Sequence, residues 1–450
     1  MAESAGSALT WPDFAILAAS LAALVLIGGA FSREQQATED FFLARRRIPW
    51  WAACLSFLAT EISAVTIISV PATAYSENWE YGQFFIGSSL AKLAVAVLIG
   101  WPLWATITLF TVVSIAYIGL GGVKAVVWTN VFQASMFLVG GALTVGFLFW
   151  RIDGGVGAML GTAAEAGRLS VINWGPAPGA PDFWHRVLTD PNIFWLAILN
   201  GFVGSMAAFG TDFDLMQRLL TVETGGESQR TLSLTPLGTL VTLLLYLAIG
   251  AGLFTYYAQH PGVSLPRPDE IFPYFIRTVM PVVLRGVMLT AIVLASIDSP
   301  LGSLSASFVT DIYRPLIAPG RTDRHYLLVS RVAVVGFGLA LAALAWGFSF
   351  FDKILWLAFK IAGVTFGSLL GVFLLGLLTR LRANHANVVA MIVMAVVNLV
   401  LLVLSEAGVI AFAWSWLVIL GTLGTMVLAP LLSPVLDRGR HLRPEANPAR

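Results

Sequence analysis

Long apolar runs, each closed by a short polar stretch, repeat from one end of the chain to the other. A helix of about 20 apolar residues crosses a hydrocarbon core about 30 Å thick. Runs of that kind fall near 11–31, 49–75, 81–100, 102–120, 123–150, 191–213, 231–257, 281–311, 328–349, 354–379, 386–405 and 410–433. In hydrocarbon the backbone must satisfy its own N–H and C=O groups, so only helices and closed barrels span, and unbroken apolar runs do not fit the alternation of a barrel strand. The pattern predicts an all-α membrane protein with about 12 transmembrane helices in a single polytopic domain, 1–450. The longest polar interval, 151–190, is rich in Gly, Pro and Asp and reads as an extramembrane loop. Residues 434–450 read as a basic cytoplasmic tail.

Composition sharpens this. The 450 residues are 58% hydrophobic and 11% charged, against roughly a quarter charged in soluble domains, so the lipid bilayer is the main solvent. The lone Cys54 cannot form an intramolecular disulfide. His185, His260, His325, His385 and His441 all fall between apolar runs, which argues against a haem or a histidine-bound metal. The net charge of +1, without basic runs interleaved with aromatics, gives no reason to expect nucleic acid as a partner. No nucleophile, base and orienting group come together, so no enzyme and no organic cofactor are expected.

Short loops rich in Lys and Arg stay on the cytoplasmic side. Arg45–Arg47, Arg218 with Arg230, Arg314 to Arg331, and Arg380 with Arg382 and the tail mark four such places. The last three are each separated by two spans, which sets the N-terminus outside and the C-terminus in the cytoplasm of a plasma-membrane protein. Between Arg47 and Lys124 an even number of spans is required, yet the pattern holds three. Either one run does not cross, or a helix is absent, or the topology inverts against the charge rule.

Two runs contain residues that weaken a plain span. Glu61 stands in Ala59-Thr60-Glu61-Ile62-Ser63-Ala64 and Asp298 in Ala295-Ser296-Ile297-Asp298-Ser299-Pro300. A carboxylate at membrane depth costs at least about 2.5 kcal/mol, so each needs a wet cavity, a cation or a partner. The bland alternative for either alone is a structural hydrogen bond between helices. Hydroxyls beside both, with a proline that frees a backbone carbonyl near 296, suit a hard monovalent cation that takes oxygen ligands from an unwound helix. A third polar burst, Gly210 to Arg218 with Asp214 inside it, reads equally as a solvated loop or as a broken helix facing substrate. Lys360 reads as a snorkelling or paired lysine.

These segments resemble the sodium:solute symporter family, which includes sodium/proline and sodium/glucose carriers. The resemblance is carried by Thr38 to Leu43 before Pro49-Trp50-Trp51, Glu61 to Thr66, Gly121 to Thr129, Thr211-Asp212 with Gln217-Arg218, Ser296 to Ser299, Thr310 to Tyr313, and Gly371 to Arg380, in family order over nearly the whole chain. It implies a five-plus-five inverted-repeat core, flanking helices and alternating access. Ile86 to Lys92 resembles the start of one core helix and Leu93 to Gly100 the end of the next, so one helix of the first repeat is missing near 92–100. The absent stretch amounts to roughly fifty to seventy residues, enough for a crossing and its connection.

The resemblance also implies a sodium site formed by Ala59, Ile62, Ile292, Ala295 and Ser296. The family usually has Ser at the position of Ala295, so one hydroxyl is lost. Asn130 stands where some members use an Asp for a second sodium site, with Asp298 and Ser299 at its other matching positions. Glu61 and Thr66 match positions near the substrate of sugar-carrying relatives. The expected activity is sodium-coupled symport of a small polar solute, with sodium as coupling ion rather than a resident cofactor. The alternative is a transport-incompetent or sensor-like homologue.

Overall fold

The computed structural model describes residues 9–62, 64–76, 79, 103–190, 193–261, 263, 268–296, 300–348, 354–379 and 384–437. Helix α1, Trp11–Phe31, begins where Asp13 turns its carboxylate back to accept from the Thr10 N–H at 2.8 Å, and Thr10 Oγ1 donates to it at 2.9 Å. That reciprocal cap replaces partners that a helix start lacks. A short helix α2, Thr38–Leu43, follows, and then a left-handed turn in which Ala44, Arg45 and Arg46 have φ of 50°, 53° and 55°. Side-chain-bearing residues lose about 1–2 kcal/mol each in that region, so contacts must hold the turn. Asp40 does so by a bidentate pair with Arg45, Nη2 to Oδ2 at 2.9 Å. The Ile48 N–H adds a bond to the Thr221 carbonyl at 3.1 Å.

Two helices, α3 at Trp50–Glu61 and α4 at Ala64–Ser76, occupy the expected second span. Helix α5, Leu103–Arg151, carries the expected spans 102–120 and 123–150 end to end and is bent at Gly122, φ +57° and ψ −158°. A Cβ at Gly122 would press on the Phe41 backbone, so the close approach of α2 and the bend both require glycine. Helix α5 is the central post: α1, α3 and α10 pack along it.

The interval 151–190 holds α6, Gly155–Glu165, and α7, Phe183–Thr189. Next come α8, Phe194–Thr211, the short α9, Phe213–Leu219, and the long α10, Gly225–Ala258. Helices α11, Pro268–Thr278, α12, Val282–Ser296, and α13, Pro300–Ser307, lead into a π-helical segment, Phe308–Ile317. The last four are α14, Asp323–Phe348, α15, Ile354–Leu378, α16, Asn384–Glu406, and α17, Ser415–Leu436. Helix α17 runs through Leu436, so the basic tail begins later than residue 434.

Every regular element among the described residues is helical, and nine of the helices there are long and apolar enough to cross a membrane. The run at 81–100, with the missing helix inferred at 92–100, lies outside the described residues. Contacts divide the chain into two compact units. The first comprises Met1–Val171 with Phe213–Leu355 and the second Ile172–Asp212 with Trp356–Arg450. In the first, α4 lies so close to α10 that a side chain at Gly250 would collide with Pro71 and Ala74. In the second, α16 and α17 pack closely together, and α17 also meets α8.

Candidate functional site

The first unit contains an interrupted helix, and the interruption falls at the first polar sequence singled out above. Ile62, at φ −89° and ψ 108°, turns the chain out of α3; its N–H makes the last rung to Leu58 at 2.9 Å. The carbonyls of the last helical turn are thereby released from the ladder, and Ala59 and Ile62 stand at this end, both buried. Helix α12 is described to Ser296 and α13 from Pro300, which has no N–H to offer back. Ile292 and Ala295, in the last two described turns of α12, are buried. Helix α4 packs against α12, so the helix that restarts after Ile62 neighbours the one that carries them. Released carbonyls with few charged groups suit a hard cation that sheds part of its water shell. Glu61 is the last residue of α3, Thr66 lies in the first turn of α4, and Asp298 and Ser299 lie outside the described residues.

One turn before the first interruption, three side chains form a neutral polar knot. The Asn130 amide, on α5, donates to Ser56 Oγ at 3.2 Å and Thr60 Oγ1 at 3.2 Å, with a longer contact to the Ser56 carbonyl at 3.4 Å. Thr60 Oγ1 itself donates to the Ser56 carbonyl at 2.9 Å. Ser56 and Asn130 are buried. Asn130 thus ties α5 to α3 without bringing a charge into the apolar interior, where an unpaired carboxylate would be costly.

The polar burst at 210–218 is a helix break and not a solvated loop. Asp212, at φ −77° and ψ 118°, separates α8 from α9 and coincides with the boundary between the two units. On α9 Arg218 is fully buried; it pairs with Asp214 Oδ1 at 2.8 Å and also donates to the Asp214 carbonyl. Gln217 donates to the Phe42 carbonyl at 2.9 Å, fixing α9 on α2. The Asp214 carboxylate is therefore engaged by its own helix.

Two ties near the helix ends were not singled out from the sequence. Arg285, at the start of α12, makes a bidentate pair with Asp13 at 3.0 and 2.6 Å and reaches Thr10 Oγ1 at 3.0 Å, with both charged side chains buried. It clamps α1 to the helix that ends at Ser296. The signal was present: Asp13 stands at a helix start inside an apolar run, and Arg285 interrupts another. On the loop after α6, Arg168 donates to the Ser76 carbonyl at the end of α4 and lies over the Phe254 ring at 5.0 Å.

Outside the spans, the Arg45 guanidinium holds the Asp40 carboxyl below the ordinary carboxylate range, against the upward push of burial. Burial likewise pushes the Asp437 carboxyl up, but the His385 and Ala386 N–H groups and the His385 ring more than offset it and leave it low. Asp437 thereby caps the first turn of α16 from the end of α17.

A helix broken at Ile62 inside an apolar multi-pass bundle, with released carbonyls at the break, marks a secondary transporter of the broken-helix class. The model of the sodium:solute symporter family matches residues 81–393. The chain is 28% identical to the sodium/sialic acid symporter of Proteus mirabilis, over 86% of this chain and 88% of that one. It is 27% identical to the sodium/sialic acid symporter of Aliivibrio fischeri, over 94% and 93%. The latter alignment runs over 486 residues, more than this chain possesses, so it includes positions with no counterpart here. Among solved structures, a substrate-bound outward-open Na+-coupled sialic acid symporter matches the fold with a TM-score of 0.79 at 23% identity, covering 94% of this chain and 98% of that one. The chain belongs to the sodium:solute symporter family. It is a multi-pass membrane symporter with sodium as coupling ion, and not an enzyme.

Proposed function

We propose that this symporter carries a small polar solute bearing a carboxylate, sialic acid being the first to test, by alternating access around the α3/α4 and α12/α13 breaks. The observation that carries the reading is the break at Ile62. It gives α4 an N-terminus, with its free N–H groups and positive dipole end, beside the released carbonyls of α3. The carbonyls suit sodium and the amides suit an anion. Two of the relatives matched are named for sialic acid, and another, from Homo sapiens, for monocarboxylates.

In this reading sodium is held by the carbonyls of Ala59, Ile62, Ile292 and Ala295 and by Ser296, while Thr66 and Glu61 meet the solute. Asp298 and Ser299 serve a second sodium site, with Asp298 supplying the charge that Asn130 lacks. Asp214 acts by holding Arg218 and the α8–α9 break, not by direct contact with solute. Sodium binding favours the outward-open state, and inward movement of one charge is worth about 2.3 kcal/mol per 100 mV, or about fiftyfold accumulation. The N-terminus lies outside and the C-terminus in the cytoplasm of the plasma membrane.

The test is uptake of radiolabelled sialic acid by proteoliposomes under an inward sodium gradient. Accumulation with sodium and none with potassium supports the reading. Sodium-driven accumulation of glucose but not of sialic acid or pyruvate overturns the carboxylate assignment while leaving symport intact.

A further inference from the structure

We propose that the turn at Ala44–Arg46 and the adjoining face of α10 form a binding site for an anionic phospholipid. The argument begins with the turn. Three consecutive residues with side chains adopt positive φ, a conformation that persists only where the surroundings over-determine it. Asp40 holds Arg45, the Arg47 N–H returns to the Ala44 carbonyl at 3.2 Å, and the Ile48 N–H binds the Thr221 carbonyl. The effect of that bracing is to set Arg46 and Arg47 outward. Both are exposed, and among the described residues neither guanidinium makes an ion pair or a hydrogen bond.

A third guanidinium stacks on Trp50, three positions along the chain from Arg47. Arg230, exposed near the start of α10, lies 3.9 Å over the Trp50 ring, and the Thr231 hydroxyl donates to the Trp50 carbonyl at 3.2 Å, which joins α10 to the start of α3. Trp51, 43% exposed, packs edge-on against Trp128. Tryptophans at this level are the usual anchors of the headgroup region, and guanidinium forks match phosphate oxygens two at a time.

The apolar half of the site continues from Arg230 along one face of α10. Leu234, Leu237, Val241 and Leu244 follow it at helical spacing and are exposed, Leu237 to 62%. Clustered guanidiniums that end in an apolar stripe are complementary to a phosphate that carries an acyl chain, which selects a lipid over a soluble phosphate. Phosphatidylglycerol is the simplest headgroup of this chemistry.

The experiment is thermal unfolding of the purified full chain in detergent with added phosphatidylglycerol, phosphatidylcholine or glycerol 3-phosphate. A ligand that binds the folded state raises the unfolding temperature. The site predicts a rise with phosphatidylglycerol that exceeds that with phosphatidylcholine, weakens with added salt, and is absent with glycerol 3-phosphate. In R46Q/R47Q the half-saturating phosphatidylglycerol concentration increases, by about fivefold for each arginine removed, whereas R46K/R47K, which keeps the charge and loses the fork, falls between R46Q/R47Q and the unaltered chain. Equal shifts with both lipids, a shift indifferent to salt, or an unchanged half-saturation in R46Q/R47Q would overturn the proposal. A shift reproduced by glycerol 3-phosphate would assign the arginines to a soluble anion instead. Should R46Q/R47Q not fold, the salt and lipid series on the unaltered chain decides.

Discussion

Helix α3 of the first unit stops inside an apolar run at Ile62 and α4 takes over from Ala64, whereas α16 of the second runs through 23 residues without a break. The first unit also buries charge: Arg285 against Asp13, and Arg218 against Asp214. In α16 the buried polar residue is a single amide, Asn398, which donates to the Leu417 carbonyl at 2.9 Å. The second unit too is held by close backbone approach, as α4 and α10 are in the first. At Gly367 on α15 a side chain would strike the backbone of Val418 on α17. Polar and broken backbone is tolerated in a membrane where it is enclosed or put to use. The contrast is the reason for assigning the proposed ion and solute chemistry to the first unit.

The strongest way to break this contrast is to remove one member of the buried pair. D13N leaves Arg285 buried without its carboxylate and is expected to cost about 3–5 kcal/mol, read as a large fall in unfolding temperature. D13L/R285M, which removes both charges, should recover most of it; if it does not, the clamp does more than hold α1. Next in size is G367A, whose Cβ meets backbone rather than a flexible side chain. Overpacking of this kind costs about 1–3 kcal/mol. The variant should lose stability yet keep its half-saturating sodium concentration, and a changed sodium dependence would blur the division of labour.

S296A makes the opposite split. It removes the hydroxyl that the family site retains here, so half-saturation by sodium in uptake should rise about tenfold, the worth of one charge-assisted oxygen contact, with little change in stability without sodium. The smallest effect is at the loop. Asp40 is held low by Arg45, so its contribution is complete above the ordinary aspartate value of about 3.9 and fades as pH falls through its lower folded value. D40N should cost about 1 kcal/mol or less at neutral pH, since Arg45 is half exposed. The difference from the unaltered chain should be the same at pH 7 and pH 5 and close only under stronger acid.

Much of this was legible in the apolar pattern, because hydrocarbon admits so few structures. The ends of α1, α10 and α16 lie close to the runs read from the sequence. The break at Ile62 was legible because hydroxyls and a carboxylate interrupted that run. What remained hidden was pairing at a distance. Asp13 and Arg285 lie 272 positions apart, and nothing local marks one as the partner of the other. Asn130 was visible as a residue, but its hydrogen bonds to Ser56 and Thr60 depend on α5 packing against α3. For Asp214 the sequence suggested a place facing solute, and its four-residue spacing to Arg218, which favours an intrahelical pair, was legible as well.

The central claim is that the break at Ile62 and the facing end of α12 form a sodium site, and thermal unfolding of the purified chain in sodium against choline at equal ionic strength tests it most directly. Selective binding to the folded state must raise stability. The account predicts a sodium-specific rise in unfolding temperature that needs about tenfold more sodium in S296A and is unchanged in its sodium dependence in G367A. Identical unfolding in sodium and choline up to high concentration would contradict it.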